Sequence, residues 1–474
     1  MADRASSDRS GPPITLRQAG IALAVAWFVV VVAIGDAGDL TGESSRMLAV
    51  FGAAVILWIT EAIPLAATSI GVILAEILLI SDEAVVGLSD GYDAPAYQSF
   101  FATLAHPVLM LFLGGFVLAD AAAKYRLDRN LAGVLLRPFG RSPRALVGGL
   151  MAITATLSMF MSNTATTAAM MAVVLPVAAG LDAADPLRVS LVLSVPVAAN
   201  VGGLGTPVGS PPNAIALGRL SDEGIDVNFL EWMLLGVPVA IVALASAWAI
   251  LVRRYPAGID QVELSIGGAF DRSRDAMLLY VVFGATVLGW ITEPFHGIPS
   301  SIVGFTPVVL LLATKVVGVD DLRHISWHVL WLVGGGIALG NGVTATGLDD
   351  WLVGLFDWSS LSTLLLLAAL AALSIVMSTL ISNSATANLV VPIGVGLATS
   401  AAIDLDPLLA GVVIAMSCSL AMALPVSTPP NAVAYATGNV ATRDLAIVGL
   451  LVGAIGLVLV VLVAPPIWEA VGLL

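Results

Sequence analysis

Two polar tripeptides, Ser162-Asn163-Thr164 and Ser382-Asn383-Ser384, interrupt very apolar stretches at matching places in the two halves of the chain. Each is followed, roughly 45 residues later, by a second matching segment: Gly209-Ser210-Pro211-Pro212-Asn213 and Ser427-Thr428-Pro429-Pro430-Asn431. Asn brings one carbonyl acceptor and two N–H donors, and Ser and Thr bring donor and acceptor together. The acceptor oxygens suit a hard cation that has shed water, and the donors suit an oxyanion. Ser158 and Ser378 precede Ser162 and Ser382 by one helical turn. On a continuous helix each pair shares a face and aims two oxygens at one ion. Pro211-Pro212 and Pro429-Pro430 remove backbone donors and break a helix. The carbonyls just before the break, at Gly209 and Ser427, lose their helical partners and become candidate Na+ ligands. The helix that restarts beyond the prolines turns its positive end toward an anion.

No Lys or Arg occurs in any of the four segments. A dianion held there meets no fixed positive side chain, so bound cations and helix ends must supply the counter-charge. This predicts obligatory cation coupling. A single Ser-Asn-Thr in a membrane helix usually only bridges helices by hydrogen bonds. The same order occurring twice, in register, points to a site.

The elements that position these segments follow from composition. The chain has 474 residues, 58% hydrophobic and 11% charged, with a mean hydropathy of +1.00. Soluble domains carry about 25% charged residues, so an all-α polytopic membrane protein is expected, and the runs do not alternate as barrel strands do. Eleven spans are read near 19–35, 46–63, 65–81, 106–122, 188–217, 230–252, 276–292, 299–317, 328–346, 408–437 and 445–467. Two further segments, 145–181 and 362–398, read as hairpins that enter and return on one side. No cleavable secretory signal is evident, and Gly20 to Ile34 reads as the first span. An N-terminus inside puts 17 of the 19 Lys and Arg in the cytoplasm, led by Lys124, Arg126, Arg129, Arg137, Arg141 and Arg144. That bias predicts N-in and C-out. The single cysteine, Cys418, excludes an intrachain disulfide.

Four segments recur in the same order: Trp58-Ile59-Thr60-Glu61 as Trp290-Ile291-Thr292-Glu293, the Gly114-Gly115 run as Gly334-Gly335-Gly336, then the tripeptides and the Pro-Pro-Asn segments. Five crossings separate the fourth span from its copy at the ninth. An odd number turns the copy upside down and predicts an inverted-topology repeat, the architecture of alternating access. An enzyme is not indicated. The Gly202-Gly203-Leu204-Gly205 run lacks the spacing and βαβ context of a dinucleotide fingerprint, and no His-Glu-x-x-His motif occurs. The pairs Gly35-Asp36 and Gly38-Asp39 are too weak to indicate an intramembrane protease. Glu61, Glu293, His106 and His328 read as capping or interfacial groups, and Glu76 and Asp120 as snorkelling or capping ones.

On Trp58-Ile59-Thr60-Glu61-Ala62-Ile63-Pro64-Leu65, Leu113-Gly114-Gly115-Phe116, both tripeptides and both Pro-Pro-Asn segments, the chain from about Arg46 onward resembles the divalent anion/sodium symporter family. The resemblance implies a homodimeric, elevator-type transporter with a scaffold at the dimer interface and a mobile domain holding both hairpins. It implies a cytoplasmic tail at 1–17, scaffold helices at 18–144 and 276–361, transport elements at 145–252 and 362–474, and a linker at 253–275. By motif matching, one Na+ site falls at Ser158, Ser162, Asn163 and Gly209, and a second at Ser378, Ser382, Asn383 and Ser427. The substrate carboxylates fall among Asn163, Thr164, Asn383, Ser384 and Thr428, with Ser210 close by. Ser384 departs from the family's second Ser-Asn-Thr and slightly enlarges the pocket. The expected activity is Na+-coupled import of C4-dicarboxylates such as succinate, malate or fumarate across the plasma membrane. Sulfate, citrate or exchange of dicarboxylates are the alternatives. Na+ is the coupling ion, no cofactor or nucleic acid is implied, and the lipid bilayer is the surrounding partner.

Overall fold

The computed structural model describes residues 14–35, 40–139, 142–262, 270–355, 362–400 and 403–474. Most of the expected N-terminal tail, Asp36, Gly38, Asp39, Arg141 and residues 263–269 of the expected linker lie outside them. The regular secondary structure of the described residues is all helical, with no strand among them. In chain order the α-helices are α1 (Ile14–Ile34), α2 (Gly42–Thr60), α3 (Leu65–Ile80), α4 (Tyr97–Ala102), α5 (Pro107–Lys124), α6 (Leu127–Leu135), α7 (Pro143–Phe160) and α8 (Asn163–Ala179). They continue as α9 (Leu187–Gly202), α10 (Pro211–Asp222), α11 (Phe229–Arg254), α12 (Arg274–Ile291), α13 (Glu293–His296), α14 (Ser300–Ala313), α15 (Trp327–Ala345) and α16 (Leu348–Gly354). The last six are α17 (Thr363–Leu380), α18 (Asn383–Thr399), α19 (Pro407–Leu420), α20 (Pro429–Ala436), α21 (Thr442–Val458) and α22 (Ala464–Ala470).

Among the described residues, ten helical stretches are long and apolar enough to cross a bilayer unaided, and α3, α8, α14 and α19 are shorter apolar helices. Side-chain caps start several of the helices. Asp406 Oδ1 accepts from the N–H of Leu409 at 2.9 Å. Asn228 and Glu231 form a reciprocal capping box at the start of α11. Glu293 behaves as the expected capping group: its carboxylate accepts from the N–H of Phe229 at 3.2 Å and of Ser300 at 3.1 Å.

The chain forms two compact units. The first holds residues 1–104 and 334–355, and the second residues 105–333 and 356–474. The duplicated sequence makes duplicated contacts, each inside one unit. Trp58 Nε1 donates to Leu65 O at 3.2 Å, at the start of α3, and Trp290 Nε1 donates to Ser300 O at 3.0 Å, at the start of α14. Gly114 of α5 packs against the backbone of Gly304 in α14, and Gly335 of α15 packs against Ser69 in α3. A side chain at either glycine would collide with that neighbour, which is why small residues recur there. Each glycine contact pairs one element of the first half with one of the second.

In the second unit, polar side chains join helix ends and the loops between them. His106 lies 3.5 Å from Asp222. Lys124 pairs with Asp321 at 2.6 Å, Tyr255 donates to Asp444 at 2.8 Å, and Arg188 donates to Asn439 at 3.1 Å.

One expectation about the first unit is corrected. Glu76 neither snorkels nor caps: it is 0% exposed, and neither carboxylate oxygen has a hydrogen-bond partner among the described residues. It packs against Gly342, where the missing side chain makes room.

Candidate functional site

The site lies within the second unit, where α7 and α8 form one helical hairpin and α17 and α18 the other. Both tripeptides stand at the turn of their hairpin. Ser162 is the N-cap of α8 and Ser382 the N-cap of α18, so Asn163 and Asn383 begin those helices. The expected one-turn pairing of Ser158 with Ser162, and of Ser378 with Ser382, is therefore corrected. Helix α7 stops at Phe160 and α17 at Leu380, and Met161 and Ile381 are extended. The chain reverses between the two serines, and a helical face cannot continue across the turn.

Asn163 and Asn383 take the place that helical spacing assigned to Ser162 and Ser382. Ser158 Oγ lies 2.5 Å from Asn163 Oδ1 and 2.9 Å from Ala199 O. Ser378 Oγ lies 2.7 Å from Asn383 Oδ1 and 2.8 Å from Cys418 O. Ala199 and Cys418 occupy equivalent positions, so the two clusters are copies. The terminal amide atom of Asn163 also approaches Gly209 O at 3.0 Å and Ala199 O at 3.3 Å. With nitrogen turned inward the amide donates to these oxygens. With oxygen turned inward, several acceptors face one another, an arrangement that a small cation stabilises. A side-chain carbon added at Gly203 would lie 2.8 Å from Asn163 Nδ2 and 2.9 Å from Gly209 O. Only glycine permits that approach.

The two broken helices provide the other wall. Helix α9 ends at Gly202, well before Pro211, and two 3₁₀ turns, Gly203–Gly205 and Pro207–Gly209, precede α10. Helix α19 ends at Leu420, and α20 starts at Pro429. The unwinding thus begins earlier than the prolines predict. Gly202, Gly203 and Gly205 are poor helix formers, and Pro207 and Pro425 cannot continue a helix. The asparagines of the Pro-Pro-Asn segments hold the loose ends. Asn213 Nδ2 donates to Gly203 O and to Thr206 O, both at 2.8 Å. Asn431 Nδ2 donates to Met422 O at 2.8 Å and to Leu424 O at 3.0 Å. Carbonyls stripped of helical partners are expensive to bury unpaired, and these amides satisfy two per repeat.

The repeats interlock. Helix α10 packs on α18 and α19, while α20 packs on α8 and α9. Ser210, the N-cap of α10, has its hydroxyl 3.0 Å from that of Ser419. Thr428, the N-cap of α20, accepts from Asn200 Nδ2 at 3.1 Å. Ser427 Oγ donates to Thr379 O at 2.8 Å, and the hydroxyl of Thr206 donates to Met159 O at the end of the other hairpin. Ser210, Ser427 and Thr428 are nearly fully buried, and Thr164 and Ser384 are half-buried in the first turns of α8 and α18.

The structure thus gathers Ser158, Asn163 and Gly209 in one cluster and Ser378 with Asn383 in its copy. Ser162 and Ser382 stay at the hairpin turns. Sequence reasoning passes over Asn200, Ser419, and the carbonyls of Ala199 and Cys418. Running the repeat offset through the polar residues of α9 and α19 finds them. The cradle consists of hydroxyls, amides, carbonyls and helix N-termini. None of its named residues carries a titratable side chain apart from Cys418, which contributes its carbonyl.

Comparison with known proteins agrees with this architecture. The solved Alcanivorax borkumensis YdaH transporter, described as having an unusual topology, superposes with a TM-score of 0.58 at 13% identity, covering 86% of this chain and 99% of that one. That likeness bears on the fold. A sodium-dependent dicarboxylate transporter, SdcS, of Staphylococcus saprophyticus is 30% identical over 492 residues, covering 94% of this chain and 91% of its own. Its counterpart from Staphylococcus aureus strain USA300 is 29% identical over 483 residues, with 94% and 90% covered. The sodium:sulfate symporter transmembrane region matches residues 16–474, and the chain belongs to that family.

Proposed function

We propose that this protein carries C4-dicarboxylates such as succinate, malate or fumarate across the cytoplasmic membrane, driven by Na+. One observation carries the reading: a cradle built twice, from acceptor oxygens and helix N-termini, with no basic side chain in its defining segments. Two carboxylates desolvated there need cations beside them. The relatives named above bear the name of sodium-dependent dicarboxylate transporters, which supports the same substrate class. In this reading one Na+ is held by Ser158, Ser162, Asn163 and Gly209, and a second by Ser378, Ser382, Asn383 and Ser427. The carboxylates sit among Asn163, Thr164, Ser210, Asn383, Ser384 and Thr428. Helices α8, α10, α18 and α20 turn their N-termini toward them.

The mechanism we assign is an elevator in a homodimer with its N-terminus in the cytoplasm. Residues 145–252 and 362–474 move as the transport part against scaffold helices in 18–144 and 276–361. The duplicated contacts of the two halves support it, because paired repeats give two nearly equivalent states, one open to each side.

Uptake into proteoliposomes tests the substrate and the coupling together. Radiolabelled succinate is expected to accumulate only when an inward Na+ gradient is imposed. Unlabelled succinate, malate and fumarate should compete, and sulfate, citrate and glutamate should not. Competition by sulfate alone would move the substrate to the inorganic oxyanion of the family's name. Succinate exchange that ignores the Na+ gradient would make the protein an exchanger.

A further inference from the structure

The two repeats build their cradles from unequal parts. In the second, Asn200 uses both hydrogens of its amide nitrogen: Nδ2 lies 3.1 Å from Thr428 Oγ1 and 3.3 Å from Asn431 Oδ1. Chemistry fixes that orientation. The Asn431 nitrogen is committed to Met422 O and Leu424 O, so its oxygen stands ready to accept and the nitrogen of Asn200 serves it. Thr428 Oγ1 also accepts from the backbone N–H of Asn431 at 3.3 Å. A hydroxyl oxygen has two acceptor lone pairs and one proton. With both lone pairs filled by N–H donors, the Thr428 proton must point elsewhere.

The first repeat differs at the equivalent positions. Ser419 stands where the second cradle has Asn200, and Ser210 where it has Thr428. Either hydroxyl of the Ser210–Ser419 pair can donate to the other. Serine reaches one bond less far than asparagine. Accordingly Asn213 Oδ1, the counterpart of Asn431 Oδ1, is buried with no partner among the described residues. Ser210 is left reversible and Thr428 is polarised. All six side chains are at most 3% exposed, so bulk water does not blur the difference.

We infer that Asn200 is a positioning residue that holds the Thr428 hydroxyl as a fixed donor to the transported anion, while Ser210 and Ser419 supply an adaptable one. The inference rests on the proposed dicarboxylate site. It assigns Asn200 a part in affinity through Thr428, without contact to the substrate.

A double-mutant cycle on succinate uptake by the full-length protein in proteoliposomes tests it. Asn200→Leu is nearly isosteric, adds no charge and removes the donor nitrogen, so the Thr428 oxygen regains a free lone pair and its proton is no longer held in one direction. The succinate KM should rise about tenfold, as for a charge-assisted hydrogen bond lost, while kcat stays within about twofold. Thr428→Val should raise KM by a similar factor. The double variant should be no worse than Thr428→Val alone, because no hydroxyl proton remains to be misdirected. If Asn200→Leu does not fold, Asn200→Ser runs the same cycle, with a smaller rise that also vanishes in the Thr428→Val background. Factors that multiply, or a loss confined to kcat, would make Asn200 a structural residue and overturn the inference. A wild-type protein that does not take up succinate overturns the substrate reading itself. A transporting wild type with multiplying factors overturns only the role of Asn200.

Discussion

At the scale of single residues, the Ser158 and Ser378 hydroxyls each stand between the amide of Asn163 or Asn383 and a carbonyl of the neighbouring broken helix. Asn163→Ala or Asn383→Ala should abolish Na+-driven succinate uptake while the protein still elutes as a folded species. Near-normal uptake by both would remove these residues from the site. Gly203 tests the geometry separately. A methyl at Gly203→Ala meets Asn163 Nδ2 and Gly209 O at under 3 Å, and rigid backbone stands on one side. Uptake is expected to fall by about tenfold or more, since small misplacements in a preorganised site cost that much. An unaffected rate would mean that the cluster around Asn163 is not the ion site. Thr164→Ala should chiefly raise the succinate KM, and an unchanged KM would take Thr164 out of the pocket. The hydroxyls and amides were legible in the sequence because they stand out against apolar surroundings and recur in register. Asn200 and Ser419 do not stand out: each is one polar letter in a buried helix, and only the hydrogen bonds across the repeats give it meaning.

At the scale of elements, the unwound segments matter most. Sequence placed the breaks at the prolines, whereas glycine-rich and extended stretches open the helices earlier, at Gly202 and Leu420. Local propensity sets where a helix can end, but tertiary hydrogen bonds decide where it does end, and those bonds come from Asn213 and Asn431. Asn213→Ala or Asn431→Ala leaves two buried carbonyls unpaired. Each should destabilise the protein by about 2 kcal/mol or more, read as a lower midpoint in a thermal melt in detergent. No change in the midpoint for either variant would show that water satisfies these carbonyls. The reversal between Ser158 and Asn163 was hidden for a related reason. A hairpin turn and a continuous helix put different residues beside Ser158, and spacing alone does not distinguish them.

At the scale of the whole molecule, the duplicated order of motifs predicted the duplicated contacts: the two tryptophans, the two glycine packings, the paired asparagine staples. Helix α10 carries Ser210 and ends beside His106 of the cap on α5. In the proposed elevator these two elements slide past one another. In a Cys418→Ser background, cysteines introduced at His106 and Asp222 and bridged by a short bifunctional thiol reagent should stop uptake. Uptake that continues in the bridged protein would contradict sliding at that contact. The central claim is electrostatic, and equilibrium binding addresses it most directly. Purified protein titrated with succinate in sodium buffer should bind it saturably and, with choline replacing sodium at equal ionic strength and no other small cation present, should bind at least about tenfold more weakly. Equal affinity in the two buffers would mean that the cradle holds a dianion without companion ions, and obligatory cation coupling would be wrong.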